Sequence, residues 1–227
     1  MRDPDSPRQR PAGRAGPQFR RCELDGYYES HLKGKNVRIQ LVDEDSSTYI
    51  PRILRSMGGQ PRVLDFGCGR GELKDIDCIE WEGYDIDRGN PVATYHDRSE
   101  IKGTYDCIVL KHVAEHMTPE ELFETIDWLI EHSRTFIFAF PLHNPLVRFD
   151  YWQEYTHQRP IPLQWMAKYL TGKGLRVTAI RAQNSVSRKL RKRLLQKLIG
   201  YALSKTFHGE GIIIAEASIE GVSIGEE

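Results

Sequence analysis

Residues 63–73 read Val-Leu-Asp-Phe-Gly-Cys-Gly-Arg-Gly-Glu-Leu, and few folds accommodate such a stretch. A short apolar run carries Asp65 near its end, and glycines follow at alternate positions, Gly67, Gly69 and Gly71. An apolar run of this length bounded by glycine reads as a buried parallel strand. Glycine lets the next turn bend sharply and approach a ligand with no Cβ in the way. About twenty residues on, Trp81-Glu82-Gly83-Tyr84-Asp85-Ile86-Asp87 gives a second short strand that ends in acid. Doubly wound sheets hold a nucleoside with this pair of features, a glycine turn after one strand and an acid at the tip of the next.

The spacing separates two ligand classes. A dinucleotide fingerprint is G-x-G-x-x-G, with the helix N-terminus facing a pyrophosphate. Here the third glycine comes one residue early and Glu72 stands at its expected place, where it would repel a pyrophosphate. Asp65, two residues before the first glycine, suits a ligand with a cationic amine. The pattern resembles the class I S-adenosylmethionine-dependent methyltransferases. The resemblance implies an α/β fold, a doubly wound, mostly parallel seven-stranded sheet, with S-adenosyl-L-methionine as cofactor. It assigns Asp65, Gly67, Cys68, Gly69 and Gly71 to the methionine and ribose side, and Asp85 with Ile86 to the nucleoside. It also puts Asp97 near the adenine amino group, with Lys111 and His112 at the cofactor edge of a later strand. A Rossmann dehydrogenase binding NAD is the other enzyme reading.

Strands and helices alternate along residues 62–217, as a mostly parallel sheet requires. Strands are predicted at 62–65, 80–84, 92–95, 105–110, 134–140, 175–180 and 211–217, with a helix at about 72–77. Thr118-Pro119-Glu120-Glu121 opens a helix to about His132, with Thr as cap, Pro at the first position and acids in the first turn. Another helix covers about 162–170. Tyr105-Asp106-Cys107-Ile108-Val109 and His112-Val113-Ala114-Glu115-His116 are similar to the same family's fourth strand and the stretch that follows it.

Three domains of organisation are expected: a disordered basic tail over 1–22, an N-terminal helical lid over 23–60, and the methyltransferase domain over 61–220. In the lid, Asp45-Ser46-Ser47 caps a helix whose first turn contains Pro51. No apolar leader opens the chain and no run of about 18 apolar residues occurs, so neither a secretory signal nor a spanning helix is expected. The four cysteines lack C-x-x-C spacing and suit a reduced cytoplasm.

The net charge is zero, yet residues 1–22 carry +4 and residues 185–207 carry +7, which leaves −11 for the rest. The second basic stretch repeats Val186, Leu190, Leu194, Leu198 and Ala202 every four residues, a basic amphipathic helix. Residues 185–205 thus suit peripheral contact with an anionic membrane face or a phosphorylated acceptor. Nucleic acid is not expected, since aromatics are not interleaved with the basic residues.

His112-x-x-Glu115-His116 matches an inverted zinc-protease motif, but it sits in a strand-to-helix turn, so no metal is expected and Glu115 and His116 read as structural. His143 leaves a strand at its C-terminal end, where open α/β sheets bind ligands, and is a candidate base together with His157. The run 151–160 holds three aromatics with His157 and Arg159. It resembles the Thr-His-x-Arg stretch of methyltransferases associated with bacterial polysaccharide and glycolipid synthesis. That resemblance implies a glycan or glycolipid hydroxyl as acceptor. A small-molecule acceptor of quinone or polyketide type, or a non-catalytic binding module, are the alternatives.

Overall fold

The computed structural model describes residues 33–142, 154–183 and 209–217. Among them, seven strands form one sheet: β1 Ile39–Val42, β2 Arg62–Phe66, β3 Glu80–Tyr84, β4 Tyr105–Lys111, β5 Ser133–Pro141, β6 Arg176–Gln183 and β7 Gly209–Glu216. Their order across the sheet is β1-β6-β7-β5-β4-β2-β3. All neighbours run parallel except β7, which is antiparallel to both β5 and β6.

The strands are near-continuous apolar runs because both faces of the sheet are covered. Period-2 alternation sends Ile108 and Leu110 to one face, and Cys107 and Val109 to the other. On the first face lie helix α2, Pro119–His132, through Leu122, Ile126 and Leu129, and helix α3, Leu163–Gly172, through Met166, Ala167 and Leu170. On the second lie helix α1, Ser46–Ser56, through Ile50 and Leu54, and the segment carrying Leu73, Ile76 and Ile79. The start of α2 is fixed by the expected capping box: Thr118 accepts from the Glu121 N–H while the Glu121 side chain accepts from the Thr118 N–H.

Four local expectations are corrected. The helix expected at 72–77 is a chain of turns, with three-residue hydrogen bonds such as Gly71 N–H to Cys68 O at 2.7 Å and Lys74 N–H to Gly71 O at 3.0 Å. So few residues between Gly71 and β3 cannot repay the cost of a helical nucleus. The strand expected at 92–95 reduces to one bridge, Tyr84 to Tyr95. The sheet keeps seven strands because Ile39–Val42, expected within a helical lid, pairs with β6 instead. Pro51 stands inside α1 rather than in its first turn. The basic tail over 1–22 and the basic stretch over 185–207 lie outside the described residues.

The parallel strands β2, β3, β4 and β5 all end at one edge. Because β7 runs the other way, it begins there, and Glu210 pairs with Pro141 in register. Open α/β sheets bind ligands at this edge.

Candidate active site

The glycine turn is built by backbone conformation. Gly67, Gly69 and Gly71 have φ of 80°, 48° and 73°. At Gly67 a Cβ would also lie 2.4 Å from Val113 Cγ2, so the turn packs directly on the chain leaving β4. Above Gly69 nothing lies within 4 Å of a Cβ position, and the turn opens onto free space there.

Two carboxylates belong to this turn, Asp85 bonded to it and Asp65 at the end of the strand before it. Asp85 Oδ2 accepts from the Gly69 N–H at 2.9 Å and from Asn90 Nδ2 at 3.0 Å, while Oδ1 accepts from the Asp87 N–H at 2.9 Å. An ionised carboxylate offers about four lone-pair sites, so Asp85 braces the turn and still has capacity for a ligand donor. Asp65 is 4% exposed and receives one long bond, from Trp81 Nε1 at 3.4 Å. Burial raises its pKa to about 6, and the attraction of Lys111 offsets this only in part. Ile86, next to Asp85, is 82% exposed. Cys68 is buried beneath the turn, and burial raises its thiol to about 11, so it packs rather than reacts.

Other expected site residues have protein partners. Lys111 pairs with Glu72 and donates to Ser47 Oγ at 2.8 Å, tying β4 to the glycine turn and to α1. Asp97 caps the 3-10 turn Arg98–Glu100, accepting from the Ser99 N–H and Oγ. His112 has φ of 56°, uncommon for a residue with a Cβ, and its N–H donates to Ala139 O at 2.8 Å. That backbone turns its ring between Glu115, 3.3 Å from Nδ1, and Glu210, 3.1 Å from Nε2. The two acids raise its pKa to about 9. Burial pushes the Glu210 carboxyl up, but hydrogen bonds from His112 and Ser46 outweigh it and bring it down to about 2.

A second cluster adjoins the first. The 3-10 turn Ala114–His116 carries Glu115 and His116, and the loop after residue 153 returns to it. The Gln158 N–H donates to Glu115 O at 2.8 Å, and the His116 and His157 rings lie 4.8 Å apart. His143 lies outside the described residues, as do Tyr151 and Trp152. An open cleft lined by Gln60, Asp106 and Arg134 lies at the opposite end of the strands, the wrong edge for a ligand of this fold.

The family model described as "Methyltransferase domain" matches residues 37–180, more than half of the chain. The chain belongs to this family of methyltransferase domains. The methyltransferase is similar to the solved structure of a SAM dependent methyltransferase from Archaeoglobus fulgidus, at 24% identity and a TM-score of 0.52, covering 75% of this chain and 94% of that one. It is also similar to magnesium protoporphyrin IX methyltransferase from Synechocystis, solved with bound SAH, at 16% identity and a TM-score of 0.54, covering 91% of this chain and 90% of that one. A cyclopropane-fatty-acyl-phospholipid synthase-like protein from Lactobacillus casei follows at 13% identity and a TM-score of 0.51, covering 75% of this chain and 90% of that one. At such identities the likeness is one of fold. No curated protein sequence matches the chain.

Sequence reasoning missed two features of this strand edge. Glu210 reaches it only because β7 is antiparallel, and nothing near Ile212-Ile213-Ile214 signals that direction. Glu115, His116 and His157 come together through a loop return over some forty residues. The H-x-x-E-H spacing drew attention to two of them, but the helical geometry that motif needs is replaced by a 3-10 turn.

Proposed function

We propose that this methyltransferase uses S-adenosyl-L-methionine and methylates a hydroxyl of a sugar or glycolipid. The observation that carries the donor is the open space over Gly69, whose N–H is held by Asp85, at the end of the strand that carries Asp65. The residues there suit the donor's parts. Asp65 is a buried carboxylate with one weak protein bond, fit to accept from an α-amino group. Asp85 has lone pairs left for ribose hydroxyls, and Ile86 offers an apolar platform for a flat ring. Gly67 and Gly69 keep side chains out of the volume. Glu72 stands where a dinucleotide turn has its third glycine, and this spacing argues against NAD.

When bound, the donor supplies a sulfonium-activated methyl group that passes in line to the acceptor, leaving S-adenosylhomocysteine. The chain's work is then chiefly positioning: the strand edge fixes donor and acceptor at reacting distance and shields them from water. An acceptor hydroxyl must also lose its proton, and His143, two residues past the end of β5 in the sequence, is the proposed base. Acceptor choice rests on residues 151–160, whose resemblance is to glycan-modifying relatives. Tyr155 there is 91% exposed and free to stack on a sugar face.

Calorimetric titration with S-adenosylhomocysteine, beside NAD and the Asp65→Asn variant, tests the donor. Micromolar binding, weakened in the variant and absent for NAD, is expected. No binding by the wild-type chain, or a preference for NAD, overturns the reading. Methyl transfer from labelled donor to glycan and lipid-linked glycan pools tests the acceptor.

A further inference from the structure

We propose that Glu115, His116 and His157 form a divalent metal site of the two-imidazole, one-carboxylate type, suited to Zn²⁺. One ligand atom from each residue lies within 4.8 Å of the others. Three atoms no further apart than that share a point at most about 2.8 Å from each (4.8 Å divided by √3). Zinc bonds to histidine nitrogen and carboxylate oxygen are about 2.0–2.2 Å, so an inward movement of less than about 1 Å per side chain closes the site.

Two independent observations point to an ion there. The first is Glu115. It is 1% exposed, and neither carboxylate oxygen receives a hydrogen bond among the described residues. Oε1 faces His112 Nδ1 at 3.3 Å in an ion pair, while Oε2 has no partner among the described residues. His112 thus serves one oxygen of Glu115 and is shared with Glu210, and a buried carboxylate with its second oxygen unserved is costly unless a further donor or cation completes it.

The second is the tautomer of His116. Thr156 Oγ1 donates its one proton to Glu154 Oε1 at 2.9 Å. It must therefore accept at its 2.9 Å contact with His116 Nδ1, which places the imidazole proton on Nδ1. A lone pair then stays on Nε2. Metal-ligating histidines are held in this way, with the other ring nitrogen donating to a fixed acceptor. The Gln158 N–H bond to Glu115 O anchors the returning loop, so His157 is brought to the cluster by backbone as well as by side chain.

Two imidazoles and a carboxylate favour Zn²⁺ over Mg²⁺, which prefers oxygen ligands. Three protein ligands leave a position for water or substrate. If the methyltransferase reading holds, that position falls on the acceptor side, where a bound hydroxyl would lose its proton more readily.

The test reads the metal with neither donor nor acceptor present, so its failure is distinct from failure of the methyltransferase reading. Zn²⁺ is titrated into the chelator-stripped full chain in competition with a chromophoric chelator, and metal content is measured after gel filtration. His116→Ala, His157→Ala and Glu115→Gln are compared with His132→Ala, a histidine remote from the cluster. Circular dichroism establishes that each variant is folded. Wild type and His132→Ala should hold one equivalent, and the two cluster histidine variants should bind at least about 100-fold more weakly, beyond the cost of losing a mere supporting partner. Zn²⁺ should raise the melting temperature of wild type but not of those variants. Absence of a stoichiometric equivalent, or its retention by either His116→Ala or His157→Ala, overturns the proposal.

Discussion

Asp65→Asn separates what the site needs from what the fold needs. Burial raises the Asp65 carboxyl from 3.8 to about 6, with Glu72 and Asp85 adding repulsion and with Trp81 and Lys111 opposing the rise. Below pH 3.8 both folded and unfolded chains carry the proton, and the group costs nothing. Between 3.8 and about 6 the unfolded chain releases its proton first, so stability falls as pH rises. Above pH 6 the full penalty stands. At about 1.4 kcal/mol per pH unit it amounts to some 3 kcal/mol, an upper figure for a carboxylate that relaxes or draws in water. Asparagine keeps the shape and can still accept from Trp81 Nε1, but it buries no charge. Its amide N–H groups need partners, which takes back about 1 kcal/mol or more. The variant should therefore be more stable than wild type at pH 8, by about 1–2 kcal/mol, and slightly less stable at pH 4, by up to about 1 kcal/mol, where wild type bears little of the penalty and only the amide's cost remains. For a chain of this size that is roughly 2–8 °C in melting temperature. Urea or thermal unfolding of both proteins at the two pH values measures it. The same difference at both pH values, or a less stable variant at pH 8, refutes the reasoning. The gain in stability should accompany a loss of donor affinity, the signature of a residue kept for binding at the expense of the fold.

Other outcomes follow from the same geometry. Gly67→Ala should destabilise by several kcal/mol, because a Cβ meets Val113 at 2.4 Å on a left-handed backbone, and urea unfolding reads this directly. Gly69→Ala meets no protein atom, so it should cost only about 1 kcal/mol of stability while weakening S-adenosylhomocysteine binding much more, a contrast visible by calorimetry. Glu210→Ala removes the acceptor of the Ser46 N–H, 2.7 Å away, and of His112, and should destabilise by about 1–3 kcal/mol in denaturant unfolding. Residues 185–205 should carry the chain to anionic vesicles at low salt and release it as salt rises. Flotation that is independent of lipid charge would remove that expectation.

How much could be read from the chain divides by range. Signals within one turn or one strand were legible. The Val63–Phe66 run and its glycines became β2 and an opening at the sheet edge. Thr118-Pro119-Glu120-Glu121 became a capped helix. Tyr105–Leu110 became the interior strand β4, because apolar continuity is what double-sided burial demands. The segment after Gly71 failed because its local pattern suggests a helix, while the distance left before β3 does not allow one. What no local signal could give was direction and return. Ile39–Val42 is too short and too exposed to announce itself and becomes a strand only beside β6. Glu210 joins His112 because β7 runs against its neighbours. Glu115, His116 and His157 meet because a loop doubles back and hydrogen-bonds to the turn after β4. The sequence by itself determined the fold class and the glycine turn with its neighbouring acids, where chemistry and backbone conformation lie within a few adjacent residues. Only the tertiary structure decided which distant side chains meet beside that turn, since strand pairing and the return of a loop, rather than residue type, select them.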